Sequence, residues 1–303
     1  MPSTAHCRST ALSFGSRRGR NPPAVVEKAP AVAPHIDADS PLFWVLRLLP
    51  TPHRNAIYAL RAFCCTVGDI VDSGASPTLK RALLSEWRCE LARLFAGRPQ
   101  HRAARALLES IQEHGLQCED FLAFIDGKEM DARRDLRAPS LAELDLYCER
   151  VAVSIGRITL RILGVGTPMV EPIAAELGRA IQLTRILRDL AEDATRHRLY
   201  LPREFLHRHG IFATMPGFVL AQPGLPQVCR DLAKLTEAHY SAAASAITAA
   251  SGRAIRPIAL LLVLYRALFD RLSKRGWQQL DRGVSLPQWR MAMLALRYRL
   301  EGT

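Results

Sequence analysis

The 303-residue chain lacks several features that would assign it to common protein classes. Its seven cysteines form no CxxC pair, and it has neither a glycine-rich phosphate loop nor a dinucleotide fingerprint. Its longest apolar run, Ile258 to Tyr265, has eight residues, whereas a membrane-spanning helix needs roughly 20. The cysteines are therefore expected to be reduced, mostly buried thiols in a protein of the cytosolic type.

Lysine is also scarce, since only five of the 41 basic residues are lysine and the others are arginine. The formal net charge is +12. Arginine binds phosphate well through its planar fork, although a GC-rich genome produces the same excess. A positive surface suits anionic substrates, anionic lipid or nucleic acid. Because no basic stripe is interleaved with aromatic residues, nucleic acid is not an expected partner.

The chain divides into two parts by composition. Residues 1–36 are rich in Ser, Pro, Ala and Arg without a continuous apolar stretch, which predicts a disordered basic extension. Residues 37–303 are predicted to form a single all-α domain of some eight to ten helices, because apolar residues recur at spacings of three and four. Ser76, Ser140 and Ser285 mark expected helix starts.

The segment Gln182–Pro202 concentrates charged residues of both signs. Asp189 and Asp193 are four residues apart, about one helical turn, so their carboxylates share a face. Arg196 and Arg198 follow at once. Carboxylates at this spacing, with arginines at the edge, suit a diphosphate bound through Mg²⁺. A solvated helix end with ordinary ion pairs would show the same spacing.

A second acidic cluster lies far upstream, where Asp69 and Asp72 are three residues apart and share a helical face. Two helices that each present a pair of aspartates could face one another across a cavity. Their carboxylates could then hold several Mg²⁺ ions, which bind a diphosphate and stabilise it as a leaving group. An apolar cavity behind them would hold a prenyl chain.

Five stretches carry a resemblance to a known family. They read RLLPTPHRNAIYALRAFC, DFLAFIDGKEMDARRDLRAP, LDLYCERVAVSIGR, QLTRILRDLAEDATRHRLYLPRE and VLYRALFDRLSKRGW. From about Ser40 to Trp277 the chain resembles the squalene/phytoene synthase family, and within it the bacterial enzymes that make presqualene diphosphate for hopanoids. The resemblance implies an isoprenoid-synthase helical bundle around a central cavity, with two aspartate-rich motifs facing each other through Mg²⁺.

Matched positions imply roles for individual residues. Asp69 and Asp72 match the first metal-binding motif, and Asp189 and Asp193 match the second; these four are the expected catalytic and metal-binding residues. The expected substrate-binding residues are Tyr147, Gln182, Arg185, Arg188, Arg198 and Tyr200. Lys128–Arg134 is expected to form a solvated charged face that includes Glu129, although Asp131 within it matches a recurrent family position.

Three positions depart from the family pattern. Gly68 stands where the first motif usually begins with aspartate, and Cys65 stands where a diphosphate-binding arginine is usual. Without the first aspartate, Asp69 is displaced by about a hundred degrees around the helix from the missing position. Arg185 replaces a metal-ligating asparagine. It could pair with Asp189 and exclude a metal, or contact the diphosphate directly.

The expected activity is a Mg²⁺-dependent prenyltransferase, with Mn²⁺ as an alternative ion, that condenses two farnesyl diphosphates to presqualene diphosphate. No NADPH site is predicted. A phytoene synthase acting on geranylgeranyl diphosphate is one alternative, and a non-catalytic relative acting as a binding or assembly factor is another. The expected location is the cytoplasm, and lipophilic substrates are compatible with peripheral attachment to the inner membrane face. The sequence indicates no oligomeric state.

Overall fold

Helices make up nearly all the regular structure of the chain. The computed structural model describes residues 40–132, 137–280 and 283–300. Within these ranges, the only extended pairing is an isolated bridge between Arg137 and Leu199. The all-α prediction is confirmed. The predicted basic extension, residues 1–36, lies outside the described residues, and a domain boundary at residue 36 stays a prediction.

The described ranges contain fifteen α-helices, a π-helical turn and a 3-10 turn. In chain order they are α1 (Pro41–Leu46), α2 (Thr51–Asp72), α3 (Pro77–Phe95), α4 (Arg102–Arg105), α5 (Leu108–His114), α6 (Cys118–Ala132), α7 (Leu141–Cys148), the π-helical turn (Glu149–Val153), α8 (Ser154–Ile162), α9 (Thr167–Arg188), α10 (Leu190–Thr195), α11 (Arg203–Arg208), α12 (Pro216–Leu220), α13 (Leu225–Ala249), the 3-10 turn (Arg253–Ile255), α14 (Arg256–Arg275) and α15 (Gln288–Leu300). The predicted eight to ten helices are too few, because helices of one or two turns show no clear periodicity.

Two of the three expected serine caps are confirmed. The Ser76 hydroxyl accepts a hydrogen bond from the backbone N–H of Leu79, and Ser140 forms a reciprocal capping box with Glu143. The prediction for Ser285 was wrong, since α15 begins three residues later. There the carbonyl of Pro287 accepts the first helical hydrogen bonds instead.

Two glycines allow the close helix contacts on which the site depends. A Cβ added at Gly127 of α6 would lie 2.5 Å from Cγ1 of Val151. One added at Gly178 of α9 would lie 2.9 Å from Cα of Val153. Any side chain at these positions would push the helices apart, because the interior is close-packed. Thus α6 and α9 both pack directly against the π-helical turn that follows α7.

The cysteines and the helix hydropathy bear on two further expectations. Of the six described cysteines, Cys148 and Cys229 are buried, whereas Cys89 is exposed on the outer face of α3 and three are intermediate. The expectation of mostly buried thiols was therefore wrong. Among the described helices, none combines the length and the apolar character that crossing a bilayer requires.

Candidate active site

The two aspartates of the downstream motif lie on either side of a break between helices. Asp189 separates α9 from α10, with φ −100° and ψ 14°. The backbone N–H of Asp193 still donates to the carbonyl of Asp189 over 2.8 Å. The predicted one-turn spacing is therefore kept across the break.

Asp189 is held by its neighbour in the chain. Nε of Arg188 donates to Oδ1 of Asp189 over 2.6 Å, and Nη2 donates to Oδ2 over 2.8 Å. This two-point contact fixes the carboxylate. Arg185 is exposed and forms no ion pair among the described residues. Pairing with Asp189, one of the two outcomes expected for Arg185, is therefore not found in the structure.

Asp193 lies in a region of concentrated negative charge. Its burial, followed by repulsion from Asp189, raises the pKa of this carboxyl from 3.8 to about 7. Asp131 adds to the rise, while Arg198 and Arg185 oppose it. A cation bound at this place would remove the repulsion, because opposite charge favours the ionised carboxylate.

The upstream motif is joined to the downstream one by an ion pair. Oδ1 of Asp72, at the end of α2, accepts a hydrogen bond from Nη2 of Arg198 over 2.8 Å. Asp69 is exposed and has no ion pair in the described part of the chain. A Cβ added at Gly68 would meet nothing within 4 Å, so the position could accept a larger side chain. The α2 side thus contributes one anchored carboxylate.

Two tyrosines and one buried carboxylate form the most enclosed polar group of the site. The hydroxyl of Tyr200 donates to Oδ1 of Asp131 over 2.6 Å, and that of Tyr147 donates to Oδ2 over 3.1 Å. The two rings stack with centroids 5.0 Å apart. Burial, followed by the charge of Asp131, raises the pKa of both tyrosine hydroxyls. Both tyrosines therefore remain hydrogen-bond donors.

Loop contacts bring Tyr200 to this cluster. The N–H of Ala138 donates to the carbonyl of Leu199 over 2.9 Å. A second backbone bond joins the N–H of Arg203 to the carbonyl of Pro139 over 2.8 Å. The strand-like segment between α10 and α11 is thereby fixed against the segment before α7, and Tyr200 points inward with 4% of its surface exposed.

Asp131 corrects the expectation of a solvated charged face over Lys128–Arg134. Its side chain is 1% exposed, and Nζ of Lys128 lies 3.4 Å from its Oδ2. The spacing in the sequence indicates this burial. Asp131 falls seven residues, or about two turns, after the buried Phe124 and therefore shares its face. The side chain of Glu129 is 17% exposed and pairs with Arg88 on α3, so it is not solvated as expected either. Residues 133–136 lie outside the described part.

Gln182 is buried on α9 with 9% of its surface exposed. No hydrogen bond of its side chain is found among the described residues. The structure therefore places this expected substrate-binding residue inside the helical bundle.

The donor chemistry at the motifs fits Mg²⁺, although the carboxylates are not gathered into a cluster. Within the described ranges, no group of three or more His, Cys, Asp or Glu side chains is close enough to hold a metal ion. Asp72 and Asp189 are engaged by arginines. Carboxylate oxygens are nevertheless the ligands that Mg²⁺ prefers. Burial, followed by the charge of Asp189, raises the pKa of Asp193, so a bound cation would favour the ionised form of this carboxyl.

Two cavities adjoin α10. One, of about 470 Å³, is lined on its polar side by Arg188, Asp189 and Glu192. Its apolar side consists of Pro41, Leu268, Leu280, Val284 and Leu286. The other, of about 560 Å³, lies between Ala191, the residues after α12 and Trp277. The first cavity therefore joins charged groups to an apolar wall, which suits a molecule with an anionic head and a hydrocarbon tail.

The squalene/phytoene synthase family model matches residues 37–290. A presqualene diphosphate synthase of Rhodopseudomonas palustris is 39% identical, over 89% of this chain and 97% of its own. One of Zymomonas mobilis is 42% identical, over 80% and 83%. A phytoene synthase of Arthrospira platensis is more distant, at 28% identity over 82% and 84%.

The fold agrees with these relationships. The crystal structure of a squalene synthase from Alicyclobacillus acidocaldarius superposes with a TM-score of 0.69 at 25% identity, over 78% of this chain and 89% of its own. The described helices thus form the isoprenoid-synthase bundle that the sequence predicted. Sequence and fold together show that the chain belongs to the squalene/phytoene synthase family.

Proposed function

We propose that the protein is a prenyltransferase that condenses two molecules of farnesyl diphosphate, head to head, into presqualene diphosphate. Two relatives named presqualene diphosphate synthase, at 39% and 42% identity, support this product. The more distant phytoene synthase, at 28%, gives less support to geranylgeranyl diphosphate as the substrate.

One observation carries the proposal. Asp189 and Asp193 lie at the α9–α10 break with Arg188 and Arg198 beside them, next to a 470 Å³ cavity that has an apolar wall. The charged groups suit a diphosphate and the wall suits a prenyl chain. The tyrosine cluster extends the same site towards α6.

In the proposed reaction one farnesyl diphosphate loses its diphosphate, and the double bond of the second farnesyl diphosphate attacks C1 of the resulting cation. Loss of a proton then closes the cyclopropane ring. Mg²⁺, or Mn²⁺ in its place, would be held by Asp69, Asp72, Asp189 and Asp193 and would stabilise the departing diphosphate. No reductive step is proposed, because no nicotinamide site is predicted.

The remaining site residues would bind and orient the substrates. Arg188 and Arg198 would contact diphosphate oxygens, and the exposed guanidinium of Arg185 would contribute a third charge. Tyr147 and Tyr200 would line the reaction space, with their hydroxyls oriented by Asp131. Gln182, buried on α9, would contact substrate from inside the bundle. A cytoplasmic location and peripheral membrane attachment stay predictions.

The test is incubation of the purified full-length chain with farnesyl diphosphate and Mg²⁺, followed by product analysis. The expected result is presqualene diphosphate and one released pyrophosphate per product. A parallel reaction with geranylgeranyl diphosphate tests the C20 alternative, which preferential turnover of that substrate would support. Absence of product and of pyrophosphate with both substrates would refute the proposal.

A second candidate function is that of a non-catalytic relative that binds a prenyl diphosphate or a partner. Specific observations favour it, namely the substitutions Gly68, Cys65 and Arg185 and the absence of a carboxylate cluster in the described ranges. The triple reversion Gly68→Asp, Cys65→Arg, Arg185→Asn distinguishes the two. An inactive wild type whose reverted form releases pyrophosphate would support the second function, and an active wild type would exclude it.

A further inference from the structure

The helix that carries Tyr147 does not continue regularly into α8. Between α7 and α8 lies the π-helical turn Glu149–Val153, where the backbone N–H of Ser154 donates to the carbonyl of Glu149, five residues back. A regular α-helix joins residues four apart, so the turn contains one additional residue. Because each residue of an α-helix advances by about 100°, the additional residue rotates α7 relative to α8 by about that angle.

The buried hydroxyl of Ser154 holds the end of this turn. In an α-helix the carbonyl of Arg150 would accept from the N–H of Ser154, but that N–H donates to Glu149 here. The hydroxyl of Ser154 donates to the Arg150 carbonyl instead, over 2.6 Å. Ser154 has none of its surface exposed, so bulk water does not compete for this hydrogen bond.

The carboxylate of Glu149 holds the beginning of the turn. Nη2 of Arg179, on α9, lies 3.2 Å from Oε2 of Glu149. Arg157, on α8, pairs with Oε1 of the same carboxylate. The two arginines come from different helices, so the first residue of the turn is tied to both of them.

The neighbouring helices leave room for a turn of this size. An additional residue widens a helix, and a wider turn needs space on the sides where other helices pack. Glycine stands at both places, since Gly127 of α6 faces Val151 and Gly178 of α9 faces Val153. The packing around the turn is therefore matched to its shape.

The rotation of α7 determines where Tyr147 points. Tyr147 lies two residues before the turn, and its hydroxyl donates to Oδ2 of Asp131 over 3.1 Å. Its ring stacks on that of Tyr200. A rotation of α7 by about 100° would move this side chain off the helix face that meets α6.

We propose that the π-helical turn is a positioning element of the active site, and that Ser154 is a positioning residue that maintains it. The turn sets the angle at which Tyr147 meets Asp131 and Tyr200, and Ser154 acts through Tyr147 without touching substrate. Such turns recur at functional sites in other proteins. The contribution of the turn to turnover rests on the proposed function, whereas its control of the Tyr147–Asp131 hydrogen bond does not.

The first experiment deletes Ala152, which should close the turn into a regular α-helix. Urea unfolding of the full-length protein, without substrate, measures the coupling between Tyr147→Phe and Asp131→Asn. Their effects on stability are expected to be non-additive in wild type, because the two groups share a hydrogen bond. In the deletion variant they are expected to be additive. Equal coupling in both backgrounds would overturn the proposal.

Turnover of farnesyl diphosphate with Mg²⁺ gives a second readout. Tyr147→Phe is expected to lower kcat by about tenfold with little change in KM. The deletion should lower kcat at least as much, and Tyr147→Phe added to the deletion should lower it no further. A further loss as large as that in wild type would contradict the proposal. If wild type shows no turnover, the proposed function fails and the unfolding measurements test the turn.

A milder pair of variants tests Ser154 even if the deletion variant does not fold. Ser154→Ala removes only a hydroxyl, and Thr159→Val is the matched control, because the Thr159 hydroxyl donates to the carbonyl of Ile155 over 2.8 Å within α8. Ser154→Ala is expected to lower kcat by about fivefold at unchanged KM and to weaken the Tyr147–Asp131 coupling. Thr159→Val is expected to change neither, and circular dichroism shows that both variants are folded. Equal effects of the two variants, or none from Ser154→Ala, would overturn the role of Ser154.

Discussion

The two acidic motifs of the site differ in how well their surroundings fix them. On the α9–α10 side, Asp189 is held by two hydrogen bonds from Arg188, and Asp193 is partly buried in a negatively charged region. On the α2 side, Asp72 has one ion pair, Asp69 is exposed, and Gly68 has no side chain. Preorganised polar groups contribute most to catalysis, because they need no reorganisation during the reaction.

The difference indicates that the two sides of the site contribute unequally to catalysis. The α9–α10 side and the Asp131 cluster supply fixed charges and oriented hydroxyls. Helix α2 supplies Asp72, which is tied to Arg198, and the exposed Asp69. We expect substitutions on the first side to reduce activity most. Substitutions on α2 should have smaller effects, and one of them should increase activity.

The largest effect is expected for Asp193→Asn, which removes a proposed metal-binding charge from the α9–α10 side. Pyrophosphate release from farnesyl diphosphate should fall by about a thousandfold, since metal stabilisation of a leaving group supplies several kcal/mol. Asp69→Asn removes a proposed metal-binding charge from the less fixed α2 side and should reduce the rate by only about tenfold. Equal losses of activity in the two variants would contradict unequal contributions of the two sides.

The next effect is expected for Asp131→Asn, a substitution of a positioning residue. The neutral amide cannot accept both tyrosine hydroxyls as the carboxylate does, so kcat should fall by about a hundredfold with little change in KM. Glu129→Gln on the same helix changes a partly exposed ion pair and should leave kcat unchanged. A change in KM alone would instead indicate a role in substrate binding.

A moderate effect is expected for Arg185→Asn. Because Arg185 has no ion-pair partner among the described residues, its guanidinium is available to the diphosphate. The KM for farnesyl diphosphate should rise by about tenfold, the size of one charge-assisted hydrogen bond. Arg185→Lys should restore part of the affinity. A higher rate in the asparagine variant would show that Arg185 excludes metal.

Gly68→Asp is expected to have a smaller effect in the opposite direction. A Cβ at this position meets nothing within 4 Å, and aspartate favours a helix interior slightly more than glycine does. The added carboxylate should raise activity by about threefold at low Mg²⁺ concentration. Gly68→Asn is the uncharged control. A lower rate in the aspartate variant alone would mean that α2 does not contribute to the metal site.

The smallest effect concerns the stability of the metal-free protein. The folded-state pKa of Asp193, about 7, lies above its ordinary value of 3.8, so protonation favours the folded state. This contribution is complete below pH 3.8 and is lost as the pH rises to about 7. In the presence of a chelator, the Tm of wild type should therefore fall relative to the Tm of Asp193→Asn as the pH rises from 5 to 7. A constant difference in Tm would contradict the raised pKa.

Much of the fold and part of the site could be predicted from the sequence. Apolar spacing identified the long helices, and the four-residue spacing of Asp189 and Asp193 identified one side of the site. The break at Asp189 could not be predicted, because its local sequence is compatible with a continuous helix. The bidentate partner of Asp189 was also missed, since helical spacing drew attention to Arg185 rather than to the adjacent Arg188.

The tyrosine cluster shows why the rest of the site could not be predicted from the sequence. Asp131, Tyr147 and Tyr200 come from three separate segments, and they meet because Gly127 and Gly178 allow close helix contacts. The charged residues around Asp131 suggested a solvated surface. Only the position of Asp131 two turns after Phe124 indicated burial, and a shift of about two residues would have placed it on the opposite face of the helix.

The most direct test of the account is Mg²⁺-dependent pyrophosphate release from farnesyl diphosphate, measured side by side for wild type and Asp193→Asn. The account predicts release by wild type that stops in chelator and falls by about a thousandfold in the variant. No release by wild type, or the same release by both proteins, would contradict it.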